Sequence, residues 1–242
     1  MSRLVPLVTC EHGGNEVPVE HRSLFEGRET ALASHQGYDP GALPLAREIS
    51  RRLNAPLFHS TTTRLLIELN RSLSSRRLFS RFSRSLPRRE RERILERHYH
   101  RYRDRAEAFV REAAGRNRTV CHISIHSFAP ILNGKIRDAD VGILYDPRRS
   151  AEKRFAGKWA TCLRDRSPFR VRRNFPYLGR ADGLTSSLRA LFDERTYLGL
   201  ELEVNQALYY ARAGAPWRRL CQVLAETLAA QLWDGIAARQ SK

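Results

Sequence analysis

The first strand-like stretch of the chain ends in a cluster of polar residues and glycines: Leu4-Val5-Pro6-Leu7-Val8-Thr9-Cys10-Glu11-His12-Gly13-Gly14-Asn15. A short apolar run closed by turn-forming glycines is typical of a β-strand that carries polar side chains at its carboxyl end. The pattern recurs at Thr119–Ile125, which is followed by His126, and at Tyr197–Val204, which contains Glu203. In an open α/β sheet, ligands bind at the carboxyl ends of the strands. We therefore expect these polar groups, which are remote in sequence, to lie together.

Segments with helical periodicity separate the predicted strands. Apolar residues three or four positions apart predict a helix over Gly41–Leu53 and one long amphipathic helix over Arg88–Ala114. The other predicted elements are helices at Ala151–Leu163, Thr185–Leu191 and Pro216–Ala238, and strands at Ala55–His59, Leu65–Leu69, Val141–Tyr145 and Phe169–Arg173. This alternation predicts a three-layer α/β/α fold around a central, largely parallel (mixed) sheet.

The composition indicates one globular domain over residues 1–242. The chain is 41% hydrophobic and long enough to bury one sizeable core. Its longest apolar runs are far too short to span a bilayer, and the N-terminus lacks the apolar region of an export signal. We therefore expect a cytoplasmic protein that does not span a membrane.

The four cysteines are widely spaced, at Cys10, Cys121, Cys162 and Cys221. Because they form no CxxC pair, neither a zinc knuckle nor a redox pair is indicated, and free buried thiols are expected. Cys10 as a nucleophile activated by His12 is the weaker alternative, because two side chains at this spacing share a face on any strand.

The strong positive charge suggests two classes of protein. A formal net charge of +17 and a pI near 10.7 are typical of proteins that bind a polyanion such as nucleic acid. The densest arginine stretch, residues 76–111, is however interleaved with acidic residues. Charges of both signs on a helix usually form a solvated face with pairs at i,i+4, and this favours an ion-paired surface over a nucleic-acid site.

His12 and His126 are candidate metal ligands at strand ends. A hydrolytic zinc site needs about three protein ligands, drawn from His, Asp and Glu, and one open position for water. Asp39 lies in a glycine-flanked loop soon after His12 and could supply the third ligand. Its other explanation is an N-cap for the helix that starts near Gly41. Both explanations are compatible with the sequence.

Glu203 is a carboxylate inside an apolar strand, on the same face as Glu201. Burying a carboxylate costs several kcal/mol unless it is paired or functional, so Glu203 is a candidate general base. The alternative is a half-exposed edge strand. Asn70 and Arg71 follow another predicted strand and would place a guanidinium, which binds carboxylates through two parallel hydrogen bonds, on the same rim.

Seven segments together resemble the N-formylglutamate amidohydrolase family, in the order Thr9–Asn15, Gly37–Ala42, Glu68–Ser72, His122–Phe128, Asp140–Asp146, Asn174–Gly179 and Glu201–Gln206. The resemblance implies a phosphorylase/hydrolase-like α/β fold akin to the zinc carboxypeptidases, and hydrolysis of an N-acyl amide with zinc. It also implies that His12 and His126 belong to the metal site and that Glu203 is the base. The zinc carboxypeptidases have a glutamate three residues after their first histidine, and here that position is Asn15.

The main hypothesis is therefore a metal-dependent amidohydrolase acting on an N-formyl or N-acyl amide of an acidic amino acid. One zinc ion held by His12, His126 and Asp39 would activate water that Glu203 deprotonates. Arg71 would bind the substrate carboxylate and stabilise the oxyanion, and the predicted substrate-binding residues are Asn70, Arg71, Arg173, Asn174 and Tyr177. The alternatives are a nucleic-acid-binding protein on a degenerate hydrolase fold and an amidase acting on cell-wall peptides.

Overall fold

A mixed six-stranded sheet forms the centre of the molecule, in a computed structural model that describes residues 4–211 and 214–240. The strands in chain order are β1 (Leu4–Cys10), β2 (Leu57–His59), β3 (Thr119–Phe128), β4 (Ile131–Leu132), β5 (Lys135–Ile136), β6 (Val141–Leu144), β7 (Val171–Arg173) and β8 (Tyr197–Asn205). The order in the sheet is β2-β1-β3-β8-β6-β7, and β4 and β5 form a separate hairpin. The first four strands of that order are parallel, and β6 pairs antiparallel with β8.

Helices cover both faces of the sheet. They are α1 (Glu29–Ala33), α2 (Ala42–Leu53), α3 (Arg88–Ile94), α4 (Arg101–Gly115), α5 (Ser150–Arg166), α6 (Leu184–Leu191), α7 (Gln206–Tyr210) and α8 (Ala215–Gln240), with a 3-10 helix at Val19–Phe25 and a π-helical turn at Leu95–His100 between α3 and α4. Alternate residues of β1 point to opposite faces, as the pleat of a strand requires. Val8 belongs to the apolar cluster that includes α2, α5 and α8, whereas Leu7 belongs to the cluster that includes α4 and α6. The three-layer α/β/α prediction is confirmed.

One predicted strand, Leu65–Leu69, is wrong. This segment is a buried set of turns between β2 and α3. Its backbone groups find partners outside a sheet: the hydroxyls of Ser80 and Ser83 donate to the Leu65 carbonyl, and the Glu68 amide donates to the Leu78 carbonyl at 2.9 Å. Because a buried backbone only needs its polar groups satisfied, an apolar run of this length can be a turn as readily as a strand.

The central position of β8 decides between the two explanations of Glu203. This strand lies between β3 and β6, and all nine of its residues are buried. A half-exposed edge strand is therefore excluded, and the carboxylate of Glu203 is 5% exposed.

The long arginine-rich helix has the mixed-charge face that its sequence indicates. Arg88 pairs with Glu92, Arg111 with Glu107 and Arg116 with Glu112, all at i,i+4. Among the helices of residues 4–211 and 214–240, none is long and apolar enough to cross a membrane.

Candidate active site

The carboxyl ends of β1, β3 and β8 open onto a cavity of about 460 Å³. His126 and Glu203 are direct neighbours across β3 and β8 in the strand register. Most of the predicted site residues line the cavity: His12, Asp39, Asn70, Arg71, His126, Tyr177 and Glu203. Their convergence follows from the parallel order of the strands, which places residues remote in sequence at one edge of the sheet.

His12, Asp39 and His126 form a compact buried cluster at the base of this cavity. Asp39 Oδ2 lies 3.1 Å from His12 Nδ1 and 2.9 Å from His126 Nδ1. The candidate ligand atoms of the three side chains all lie within 4.8 Å of one another. Helix α2 has Gly41 at its N-cap and no side-chain cap, so the Asp39 carboxylate faces the histidines and the N-cap explanation is wrong.

The other ring nitrogen of each histidine contacts a glutamate. His12 Nε2 contacts Glu68 Oε1, and His126 Nε2 lies 3.1 Å from Glu11 Oε2 and 2.9 Å from Ser124 Oγ. With its proton on Nε2, each histidine donates to the adjacent glutamate. The Nδ1 lone pairs of His12 and His126 then both point at Asp39. Histidines that bind metals are commonly held in this way, with one nitrogen on the ion and the other donating to a carboxylate.

The charges of the cluster fit a divalent cation. The cluster contains three buried carboxylates, Glu11, Asp39 and Glu68, and one guanidinium, that of Arg64, which lies 3.1 Å from Asp39 Oδ1 and 2.6 Å from Glu68 Oε2. With neutral imidazoles, the cluster lacks two positive charges. Burial opposes protonation of His126, but hydrogen bonds to Asp39 and Glu11 outweigh it and hold its pKa well above the ordinary value. A divalent cation would supply the same missing charge without protons.

Glu203 differs from the other buried acids of the described residues because one of its carboxylate oxygens is buried without any partner. Among the described residues it forms no ion pair, and its Oε2 atom has no hydrogen-bond partner. Burial raises the pKa of Glu203 to about 8. The neighbouring Glu201 is held by the hydroxyl of Thr185, which donates to Oε1 at 2.5 Å. A buried, unpartnered carboxylate in a cavity is a candidate proton acceptor.

Asn70, Arg71 and Tyr177 lie around the histidine cluster. Asn70 Nδ2 is 3.3 Å from His126 Nε2, and its Oδ1 accepts from the Leu184 amide at 2.7 Å. Arg71 Nη1 donates to the carbonyls of Asn70 at 2.6 Å and Asp182 at 2.9 Å, which fixes the guanidinium at the wall of the cavity. The hydroxyl of Tyr177 accepts from Arg137 at 2.9 Å.

Two predicted substrate-binding residues do not reach the cavity. Arg173 ends the edge strand β7 and lies with Gly157 on α5 around a separate surface depression. Asn174 has a φ of 50°, and its Oδ1 accepts from the amides of Tyr145 and Gly179 at 3.0 and 3.1 Å. Asn174 therefore holds a turn, and both predictions are corrected.

Cys10 is unsuited to nucleophilic catalysis. Its side chain is fully buried in the core, on the face of β1 covered by α2. Burial raises the pKa of the thiol well above its ordinary value, and a thiol that stays protonated is a poor nucleophile.

Sequence reasoning missed four residues of the site: Glu11, Arg64, Glu68 and Arg137. The sequence did indicate a special role for Glu68, because this acid lies within the apolar run Leu65–Leu69. Glu203 was identified from the same kind of pattern. Glu11 adjoins His12 but received no role. Arg64 and Arg137 carried no signal, because they are loop arginines in a chain with 43 lysines and arginines.

Known proteins resemble this chain in sequence and in fold. A model of the N-formylglutamate amidohydrolase family matches residues 5–210. The crystal structure of a gene product from Agrobacterium tumefaciens is similar, with 26% identity, a TM-score of 0.76, and coverage of 93% of this chain and 90% of that one. The N-formylglutamate amidohydrolase from Ralstonia eutropha shares the fold, with 19% identity, a TM-score of 0.71, and coverage of 100% and 96%. No curated protein sequence matches the chain.

Proposed function

The chain belongs to the N-formylglutamate amidohydrolase family, and from this we propose that it is a zinc-dependent amidohydrolase that removes the N-formyl or N-acyl group of an acidic amino acid. The observation that carries the proposal is the shared Asp39 oxygen, which faces the Nδ1 atoms of His12 and His126 at 3.1 and 2.9 Å beside the unpartnered Glu203. Candidate metal ligands with an adjacent free carboxylate are an arrangement that metal-dependent hydrolysis of an amide uses.

His12, Asp39 and His126 would hold the ion. Two imidazoles and one carboxylate are a donor set typical of catalytic zinc, whereas magnesium and calcium prefer oxygen donors alone. A zinc ion bound there would act as a Lewis acid, making water easier to deprotonate and the amide carbonyl easier to attack. Glu11 and Glu68 would keep the two imidazoles in the orientation that presents Nδ1.

Glu203 would act as the general base. Its carboxylate lines the cavity and forms no hydrogen bond through Oε2 with any described group, so it is available to take a proton from the attacking water. Burial disfavours the charged carboxylate and raises its pKa to about 8, so both the charged and the protonated form are populated near this pH. The same carboxyl group can therefore return the proton to the nitrogen of the departing amine.

Arg71 would anchor the substrate. The two carbonyls that bind its Nη1 fix the direction of the guanidinium. Its other N–H groups would bind the carboxylate on the carbon that carries the amide nitrogen, or the oxyanion that develops at the amide. Asn70, whose Oδ1 accepts from the Leu184 amide and whose side chain lies against His126, would position the amide beside the histidine cluster.

An activity screen tests the proposal. N-formylglutamate, N-acetylglutamate and a muropeptide amide would be assayed after treatment with a chelator and again after zinc is added back. We expect hydrolysis of the N-acyl acids, lost with the chelator and restored by zinc. A Cys10→Ala variant serves as the control and should retain activity. Hydrolysis of the muropeptide alone would favour the cell-wall amidase, and chelator-resistant activity that depends on Cys10 would overturn the metal mechanism.

A further inference from the structure

The lining of the active-site cavity carries three arginines that form no ion pair. These are Arg71, Arg77 and Arg137, among the residues that the structure describes. Arg64 differs, because Asp39 and Glu68 already neutralise it. One acid, Asp182, lines the cavity beside them, and its carboxylate accepts from the Ser72 amide. The three guanidiniums exceed this acid by two charges and so suit a ligand with more than one negative charge.

We propose that Arg137 binds a second carboxylate of the substrate, the one on its side chain, and so makes the enzyme selective for acidic N-acyl amino acids over their neutral amides. The inference rests on the proposed function and adds a residue that determines specificity.

The surroundings of Arg137 leave its charge available. The adjacent acid, Asp138, is paired with Arg170, and Asp140 pairs with the same arginine at 3.3 Å. The two described side-chain contacts of Arg137 are with Tyr177: its Nη1 donates to the hydroxyl at 2.9 Å, and its guanidinium carbon lies 4.9 Å from the centre of the ring. A neutral phenol orients the guanidinium without neutralising it.

The backbone holds Arg137 in place at the cavity. It directly follows the β4–β5 hairpin, and its amide donates to the Pro130 carbonyl at 2.8 Å, which closes the base of the hairpin. The hairpin itself follows β3, whose end carries His126. Arg77, in contrast, is exposed, and among the described residues only its backbone amide has a hydrogen-bond partner, Ser75 at 3.3 Å. Arg137 is therefore the better ordered candidate.

Two anchors in the lining of one cavity match an acidic N-acyl amino acid. Arg71 follows Asn70, whose side chain touches His126, so it suits the carboxylate next to the reacting amide. Arg137 reaches the cavity from the hairpin and suits a carboxylate farther along the substrate. A guanidinium binds a carboxylate through paired charged hydrogen bonds, which a neutral amide cannot reproduce.

The test compares N-formylglutamate with N-formylglutamine in the wild type and in Arg137→Gln. We expect the substitution to lower kcat/KM for N-formylglutamate by about 10- to 100-fold, the usual loss of a charged hydrogen bond. The value for N-formylglutamine should fall much less, because its neutral amide forms no charged hydrogen bond with Arg137. Arg172→Gln is the matched control, because Arg172 stacks on Phe175 at 4.4 Å and donates to the Asp138 carbonyl but does not line the cavity.

Equal losses for both substrates in Arg137→Gln would overturn the inference, because they would indicate a structural role. The inference would also be overturned if Arg77→Gln abolished the preference for N-formylglutamate over N-formylglutamine while Arg137→Gln retained it. Thermal stabilisation by glutarate compared with its monoamide gives a second readout that needs no turnover. If the wild type hydrolyses neither amide but Arg137→Gln removes the preference for glutarate, the anionic subsite stands and the proposed function fails.

Discussion

At the scale of single residues, the decisive group is Glu203. The structure excludes the structural explanation in which a buried arginine neutralises it, because no ion pair to Glu203 exists within the described part of the chain. Glu203→Gln should therefore lower turnover by roughly 10²–10⁴, the usual contribution of a general base, without lowering the stability of the folded state. Steady-state kinetics and thermal melting of the same preparation measure both effects. Normal turnover together with early melting would show that another residue is the base.

The raised pKa of Glu203 also predicts how the stability of the folded protein depends on pH. Its pKa rises from 4.5 to about 8 on folding, so the folded state binds this proton more tightly than the unfolded state does. Protein freed of divalent ions should then lose stability as the pH rises from about 4.5 to about 8, whereas Glu203→Gln should not show this loss. Urea unfolding of both proteins at pH 5 and pH 8 measures it. Parallel losses in the two proteins would mean that Glu203 does not titrate in this range.

At the scale of helices and strands, one buried acid connects three elements. Glu152 on α5 is fully buried. Its Oε1 accepts from Arg189 on α6 at 2.9 Å and from the Gly199 amide of β8 at 3.0 Å, and its Oε2 accepts from the Asp146 amide at 2.9 Å. Glu152→Gln leaves Arg189 without its counter-ion and should cost about 3–5 kcal/mol of unfolding free energy.

Chemical denaturation measures this cost, and Glu92→Gln provides the control. Glu92 pairs with Arg88 on the exposed face of α3, so its substitution should leave stability almost unchanged. Equal effects of the two substitutions would contradict the account of Glu152 as the joint between α5, α6 and β8.

The sequence predicted most elements and the centre of the site, because both depend on local patterns. Strands that end in His12 and His126 are visible as apolar runs closed by polar residues. The direction of β6 was not predictable, because antiparallel pairing with β8 is set by tertiary packing. Leu65–Leu69 was misassigned because two serines distant in sequence satisfy its backbone. Arg137 was missed because its position depends on the β4–β5 hairpin. Each strand of this hairpin has only two residues, which is too short for a recognisable alternation of apolar and polar residues.

At the scale of the whole molecule, the net charge of +17 raises the question of nucleic-acid binding. Part of the positive charge is paired with acids locally, as in Arg97 with Glu20 and Arg148 with Asp146. We therefore expect only weak, salt-sensitive binding, with a Kd no tighter than about 10⁻⁶ M at physiological salt. Fluorescence anisotropy with labelled oligonucleotides at low and physiological salt measures it. Tight, sequence-dependent binding that persists at physiological salt would favour the alternative function.

The fold as a whole brings together His12 from the turn after β1, Asp39 from the loop before α2, and His126 from β3. We propose that these three residues hold a catalytic metal ion. The most direct test is the metal content of the purified protein by elemental analysis, in the wild type and in Asp39→Asn after equilibration with zinc. Asp39→Asn keeps the size of the side chain but removes the charge that faces both Nδ1 atoms. We predict about one zinc ion per chain in the wild type, the stoichiometry of a single catalytic site, and little or none in the variant. Equal zinc content in the two proteins would contradict the assignment of the metal to His12, Asp39 and His126.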